Sequence, residues 1–238
     1  MRAYILACAL LAPATQAATC TATSTPTRTT LLELYTSEGC SSCPPADRWL
    51  SQLPADSGVV PLAFHVDYWD RLGWKDPFGD AAYSQRQRAR NRGAGWVYTP
   101  QVMLDGKDYR DWHRSRSPHV PAIAAPVNLH LTLATSPGHV DAHVSSRFAP
   151  SSPTPEAQLF MALYENRLST KVAAGENARR TLNHDYVVRA LVGPLGPQGR
   201  HRFLLEANWK TADLGVAAFM LTPQGDTLQA LARPLCLN

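Results

Sequence analysis

Two cysteines separated by two residues lie between a predicted buried strand and a predicted helix. Residues 31–35 are almost all apolar, which is typical of a strand covered on both faces, and Cys40 and Cys43 follow within a short turn. Pro44 and Pro45 suit the first turn of a helix, because the N–H group that proline lacks has no intrahelical partner there. The order predicted from this segment is therefore strand, cysteine pair, helix.

This placement favours a reactive dithiol. A helix N-terminus presents unpaired N–H groups and a partial positive charge, and both stabilise a thiolate, the nucleophile of thiol–disulfide exchange. We expect Cys40 to be the reactive thiol and Cys43 the buried one. The charge of Glu38 opposes a Cys40 thiolate unless its carboxylate points to solvent. A structural disulfide and a metal site are the other interpretations, although zinc sites usually need a second Cys/His pair that this sequence lacks.

The first eighteen residues resemble a secretory signal. Arg2 supplies a basic start, residues 4–11 form an apolar stretch, and small residues follow before position 18. The apolar stretch is too short to span a bilayer, and no later segment of the sequence is a candidate for one. We therefore expect a periplasmic or secreted protein without a membrane span.

Loss of the signal would remove Cys8 and leave four cysteines, which allow three pairings. If Cys40 pairs with Cys43, then Cys20 is left with Cys236. These two lie near opposite chain ends, which are often close together in a folded domain. We expect a structural Cys20–Cys236 disulfide, since two free thiols are less consistent with an oxidising compartment.

The positive charge of the chain is modest, at +4. Arginines recur at positions 86, 88, 90 and 92, a pattern that we interpret as a solvated helix face. Attraction to acidic protein surfaces is a second interpretation. Nucleic-acid binding is not expected, because no recognised motif or aromatic platform accompanies the cluster.

Strands and helices alternate in the first half of the chain. A second strand is predicted at 59–66, a helix at 77–91 and a short helix within 111–125. Asp105-Gly106 joins two extended runs and predicts a hairpin. This pattern predicts an α/β domain over residues 19–125, a sheet with flanking helices.

The pattern changes after Pro126, where apolar and polar residues alternate in short segments separated by Pro-Gly and Gly-Pro turns. Regular short strands predict an all-β, sandwich-like domain over residues 126–238, with the boundary near Ala125. The predicted strands are 127–134, 139–148, 158–164, 184–191, 202–207, 216–221 and 228–232.

Two motifs resemble the thioredoxin superfamily: Cys40-Ser41-Ser42-Cys43 after the first strand, and Thr99-Pro100 before the hairpin. The resemblance implies a thioredoxin-like sheet with flanking helices, a cis Thr99–Pro100 bond facing the dithiol, and pairing of the Thr99 backbone with substrate. Ser41-Ser42 replaces the Gly-Pro of usual thioredoxins. The segments LYTSEGCSSCPPAD, FHVDYWDRLGWKDPF, YTPQVMLDG and GENARRTLNHDYVVR are similar, more closely, to the exported thioredoxin-like family catalogued as DUF1223.

An aromatic-rich loop follows the second predicted strand. Tyr68 and Trp69 can line a groove for a peptide or small ligand, or can pack on the loop itself. His65 and Asp67, at the end of that strand, suggest either a proton shuttle for the dithiol or a structural histidine.

Other polar motifs give weaker signals. Residues 176–180 and 183–185 are rich in polar groups but have no nucleophile near them in the sequence, so we expect a loop and strand-edge role. The remaining histidines do not show the spacing of a zinc hydrolase. The sequence also has no G-x-S-x-G, P-loop or dinucleotide fingerprint.

The function predicted from the sequence is that of an exported thiol–disulfide oxidoreductase. Cys40 would form a mixed disulfide with a protein or small-molecule substrate and Cys43 would resolve it, with no organic cofactor. Thr99 and Pro100 would hold the substrate. One alternative is a Cu(I)-binding module, in which Met103 adds a third ligand to the two thiolates. The other is a non-enzymatic interaction protein with a merely structural dithiol.

Overall fold

The computed structural model describes residues 17–91, 95–150 and 156–237. Residues 1–16 of the predicted signal, with Cys8, and Arg92 of the basic cluster lie outside these ranges. The described residues form fourteen strands and two α-helices. The elements are β1 (Ala18–Thr23), β2 (Thr30–Thr36), α1 (Pro44–Ser51), β3 (Val59–His65), α2 (Ala81–Arg90), β4 (Gln101–Leu104), β5 (Lys107–Asp108), β6 (Val127–Ser136), β7 (His139–Phe148), β8 (Gln158–Glu165), β9 (Leu168–Lys171), β10 (Thr181–His184), β11 (Val187–Leu195), β12 (Gln198–Leu204), β13 (Leu214–Leu221) and β14 (Thr227–Pro234).

An eight-stranded mixed sheet runs through the molecule in the order β14-β13-β8-β11-β3-β2-β4-β5. β2 lies parallel to β3 and antiparallel to β4. On the other side of β3, Val187 of β11 pairs with Ala63 in the parallel direction. Strands from both sides of residue 126 therefore share one sheet.

A second, antiparallel sheet has the order β1-β6-β7-β12 and packs on one face of β8, β13 and β14. The alternating sequence of β6 predicts a half-buried strand, and this is confirmed: Leu129, Leu131 and Leu133 are buried while the residues between them are not. A disulfide from Cys20 on β1 to Cys236, just after β14, joins the two sheets. The Cα atoms of this pair are 5.9 Å apart.

The two helices cover opposite faces of the large sheet. α1 packs through Ala46 and Leu50 on Leu34 of β2, whereas α2 packs through Tyr83 on the face that carries Phe64. The small β9–β10 sheet lies beside α1. Neither of the two described helices combines the length and the apolar character needed to cross a bilayer.

The predicted fold class is wrong. The structure is mainly β, with two short helices, and is not a thioredoxin-like α/β sheet with flanking helices followed by an all-β sandwich. An alternating pattern identifies a half-buried strand but does not say which strand it pairs with. β8, β11, β13 and β14 extend the first sheet, and the helix expected within 111–125 is only a 3₁₀ turn, Arg110–Arg114.

The interpretation of the arginine cluster as a solvated face is wrong for two of its members. Nη2 of Arg86 and Nη2 of Arg90 lie 2.8 and 2.7 Å from the two carboxylate oxygens of Glu33, which is buried on β2. Burial alone would raise the pKa of Glu33, but the two arginines bring it below its usual value. Arg88 is exposed, as expected. Helical spacing could not reveal an acidic partner on a distant strand.

Candidate redox site

The cysteine pair occupies the turn between β2 and α1, as the sequence predicts. Cys40 and Cys43 are joined as a disulfide with their Cα atoms 5.4 Å apart. Cys43 is the residue that caps the start of α1, and its N–H donates to the carbonyl oxygen of Cys40 at 3.2 Å. Pro44 begins the helix. The dithiol is therefore placed at a helix N-terminus, where a thiolate is favoured.

Both cysteines are fully buried, so the expected contrast between an exposed Cys40 and a buried Cys43 is absent in this disulfide form. Ser41 and Ser42, between them, are exposed, and Oγ of Ser42 lies 3.4 Å from Sγ of Cys40. The disulfide thus lies directly beneath a two-residue turn at the surface. A reactant reaches the sulfur atoms only after that turn moves.

Residues from the second half of the chain hold the dithiol turn. Nδ2 of Asn177, a buried side chain, donates to the carbonyl oxygens of Glu38 and Cys40, both at 2.9 Å. The N–H of Ser41 donates to Oε2 of Glu176 at 3.0 Å. Arg180 donates to Oδ1 of Asn177 at 2.8 Å and thereby fixes the orientation of the amide. The loop role predicted for residues 176–180 missed this contact, because its partners lie far away in the sequence.

Glu38 points into the protein and not to solvent. Its side chain is buried, with one oxygen accepting from Nε1 of Trp74 at 2.8 Å and the other 3.2 Å from Nε2 of His184. In this orientation the carboxylate is expected to oppose a Cys40 thiolate. His184, like Asn177, comes from the second half of the chain and was not among the predicted site residues.

His65 forms a buried pair with Asp76, with Nδ1 and Oδ2 2.7 Å apart. Burial favours the neutral ring, yet the attraction of Asp76 raises the pKa of His65 overall, and the same attraction overcomes burial to lower the pKa of Asp76. The ring of His65 lies 5.0 Å from that of His184. Asp67 is not part of this group, since its carboxylate accepts a hydrogen bond from Ser84 of α2.

Asp47 lies on α1 one turn after Cys43, on the same face of the helix. Burial raises the pKa of Asp47, against the opposing attraction of the two histidines. Its oxygens accept from Oγ1 of Thr36 at 3.2 Å and lie 3.9 Å from Nδ1 of His184. The cysteine pair thus has a buried cluster of histidines and carboxylates next to it.

The two aromatic residues predicted to bind substrate have different surroundings. Nε1 of Trp69 donates to Oγ1 of Thr99 at 2.7 Å. Trp69 also packs on Gly39, where an added Cβ would come within 3.0 Å of the Trp69 Cβ. Tyr68 instead turns to α2 and donates to Gln87 at 3.1 Å, and burial raises the pKa of Tyr68 to about 12. Trp69 therefore connects the dithiol loop to Thr99.

The Thr99–Pro100 peptide bond is cis, as the resemblance implies. Pro100 lines an open cavity of about 340 Å³, in which the guanidinium of Arg110 lies over two aromatic rings. The other residues lining it are Trp96, Tyr98, Arg110 and Trp112.

Met103 packs with Tyr35 on the α2 face of the sheet, the face opposite to α1. It is therefore not placed to add a ligand to the two cysteines. Across residues 17–91, 95–150 and 156–237, no group of three or more histidine, cysteine or carboxylate side chains is arranged to hold a metal ion.

Comparison with known proteins assigns the chain to a family. The model of the family described as Protein of unknown function (DUF1223) matches residues 31–220. The chain belongs to the DUF1223 family. No curated protein matches it.

Two solved structures resemble this DUF1223 protein in fold. One is a crystal structure of an Agrobacterium tumefaciens protein from a structural genomics consortium, with a TM-score of 0.58 and 23% identity over 89% of this chain and 95% of that one. The other is HBP35 of Porphyromonas gingivalis, with a TM-score of 0.62 and 13% identity over 89% of this chain and 76% of that one. The DUF1223 match contains Cys40, Cys43, Asn177 and His184, whereas Cys20 and Cys236 lie outside it.

Proposed function

We propose that this DUF1223 protein is an exported thiol–disulfide oxidoreductase that reacts through Cys40 and Cys43. The observation that carries the proposal is the position of the pair, in a turn at the N-terminus of α1 beneath two exposed serines. A disulfide that closes so short a loop restricts the unfolded chain little, so it adds less to stability than one closing a long loop. A role in thiol–disulfide exchange therefore accounts for the Cys40–Cys43 bond better than a role in stabilising the fold.

The reaction exchanges one disulfide for another. In the reducing direction, the Cys40 thiolate attacks a sulfur of the substrate, forms a mixed disulfide and releases one substrate thiolate, which takes up a proton. Cys43 then loses its proton and attacks the Cys40 sulfur, which releases the second substrate sulfur as a thiol. Two electrons pass from the dithiol to the substrate, and no organic cofactor takes part. The oxidising direction is the reverse.

Several features support the proposed substrate contacts and the proposed location. Thr99 and Pro100, with Trp69 bonded to Thr99 and packed on Gly39, are the proposed contacts for a protein or small-molecule thiol or disulfide. Tyr68 borders them. The likeness to the thioredoxin superfamily rests on two motifs, the cysteine pair and Thr99-Pro100, and it supports this chemistry without extending to the overall fold. Two disulfides are typical of an oxidising compartment, in keeping with a signal segment at 1–18 and a periplasmic or secreted protein.

Trapping of a mixed disulfide tests the proposal. We expect reduced Cys43→Ser protein to form a stable adduct with a disulfide-containing peptide through Cys40, because the resolving thiol is absent. Cys40→Ser protein, the matched control, should form far less adduct, and the unmodified chain should reduce insulin disulfides catalytically. Equal or absent adducts in the two variants, together with no insulin reduction, would show that the Cys40–Cys43 bond is only structural.

A further inference from the structure

Carboxylates approach the dithiol turn from two sides. Glu176, an exposed residue, accepts the hydrogen bond of the Ser41 N–H and so places its charge within one residue of Cys40. Glu38 is buried two residues before Cys40, and its backbone is held by Asn177. Asp47 lies one turn after Cys43. Cys40 therefore has Glu38 two residues before it and Glu176 bonded to the next residue, and Cys43 has Asp47 four residues after it.

The positive groups near the turn have partners of their own. Arg180 binds Oδ1 of Asn177 and forms no ion pair with the three carboxylates. The charge of His65 is offset by its own partner, Asp76. His184 is shared between Glu38 and Asp47. Within the described part of the chain, no lysine or arginine pairs with Glu38, Asp47 or Glu176.

Local charge sets the direction in which a dithiol works. A site that stabilises the Cys40 thiolate stabilises the reduced form and becomes an oxidant. A neighbouring carboxylate does the opposite, because like charges disfavour ionisation of the thiol. The partial charge at the start of α1 favours the thiolate, but it corresponds to only about half an elementary charge. Glu38 and Glu176, when ionised, each carry a full elementary charge that opposes it.

We propose that Glu176 is a positioning residue that keeps the reduction potential of the Cys40–Cys43 couple low, so that the site donates electrons to the disulfides of exported proteins. This inference rests on the proposed oxidoreductase function. One turnover converts the Cys40–Cys43 dithiol and a substrate disulfide into the Cys40–Cys43 disulfide and a substrate dithiol. A dithiol of a separate donor protein restores the reduced site by the same exchange, so electrons and protons balance.

Equilibration with glutathione tests the role of Glu176 on the full chain. The fraction of Cys40–Cys43 disulfide is trapped by acid and alkylation and mapped by mass spectrometry at graded ratios of reduced to oxidised glutathione. Glu176→Gln keeps an acceptor for the Ser41 N–H but removes the charge. We expect it to shift the equilibrium toward the dithiol by about threefold to tenfold, and Glu176→Lys to shift it further. A tenfold shift corresponds to about 30 mV. Glu206→Gln, at another exposed carboxylate, is the matched control and should cause no shift.

The pH dependence of alkylation gives a second readout that a purely structural role would not move. Without the Glu176 charge, the reduced Cys40 thiol should react at a lower pH than in the unmodified chain. Unchanged equilibria in both Glu176 variants, or a shift toward the disulfide, would overturn the inference while leaving the oxidoreductase function intact. Failure of the folded protein to exchange with glutathione at any ratio would overturn the function itself, and the inference with it.

Discussion

Asn177 donates a hydrogen bond from Nδ2 to the carbonyl oxygen of Cys40 at 2.9 Å, although 137 residues separate the two in the sequence. The same nitrogen binds the carbonyl oxygen of Glu38, so one side chain fixes the main chain on both sides of Gly39. The conformation of the dithiol turn therefore depends on the second half of the chain.

Asn177→Ala should loosen the turn. It removes one hydrogen bond from each of two carbonyl oxygens; that of Cys40 keeps the N–H of Cys43 as a partner, whereas that of Glu38 loses the bond from Asn177. We therefore expect the free energy of unfolding to fall by about 1–3 kcal/mol. Reduction of Cys40–Cys43 by a small thiol should also become faster, because the turn opens more easily. Urea titration and a time course of alkylation measure the two effects. Asn128→Ala, at an exposed position on β6, is the control and should change neither. A variant as stable and as slowly reduced as the unmodified chain would contradict this role.

Glu33→Gln should strongly destabilise the protein, by about 3–5 kcal/mol, because Arg86 and Arg90 would keep buried charges without a counter-ion. The pKa of Glu33 is lowered by folding, so its stabilisation is present above its ordinary value of 4.5 and is lost as the pH falls through the lowered value. Urea titrations at pH 7 and at pH 3 should thus differ less for the variant than for the unmodified chain. Equal stability of the two proteins at pH 7 would rule out a favourable ion triad.

Asp76→Asn should flatten the dependence of stability on pH. Folding raises the pKa of His65, so its contribution is complete below the ordinary value of 6.5 and is lost as the pH rises through the raised value. Folding lowers the pKa of Asp76, so its contribution is complete above 3.8 and is lost as the pH falls. The pair therefore stabilises most between about pH 4 and 6.5. Free energies of unfolding measured from pH 4 to 8 should show this maximum weakened in the variant. An unaltered profile would mean that the pair is not ionic.

The two disulfides should differ in their effect on stability. Removing the Cys20–Cys236 bond with serines should cost up to about 5 kcal/mol in the chain-entropy model, because the bond closes a loop with a sequence separation of 216. Removing Cys40–Cys43, with a separation of 3, should cost only about 2 kcal/mol. Thermal unfolding and insulin reduction, measured on both double variants, separate the roles. The first variant should retain exchange activity and the second should lose it. A reversed order of stability would refute the assignment.

Local chemistry made part of the site predictable. The apolar run at 31–35, the prolines after Cys43 and Asp105-Gly106 each specify their own backbone conformation, and the structure has the predicted strand, helix start and hairpin turn there. The Cys20–Cys236 disulfide is predicted because these two cysteines remain once Cys40 is paired with Cys43, and the structure contains it.

The remainder depends on pairing between distant segments. Val187 pairs with Ala63 through a short parallel contact that the periodicity of neither strand predicts, and this contact joins strands from both sides of residue 126 in one sheet. No sequence pattern around Glu33 indicates that it pairs with Arg86 and Arg90. None around Asn177 indicates its contact with Cys40. In each case the contact depends on the tertiary fold, which cannot be derived from the local pattern of a single sequence.

The late position of Asn177 and Cys236 affects the order in which the protein can be completed. A chain is synthesised from its N-terminus, so Cys20, Cys40 and Cys43 emerge together, long before Cys236. In that interval Cys20 has no native partner, while Cys40 and the turn around it have no Asn177 to hold them. An oxidant that meets the emerging chain can join Cys20 to either member of the dithiol. If Cys40 and Cys43 pair first, Cys20 stays free until Cys236 arrives; a chain in which Cys20 has joined either of them needs a disulfide isomerase to reach the native pairing.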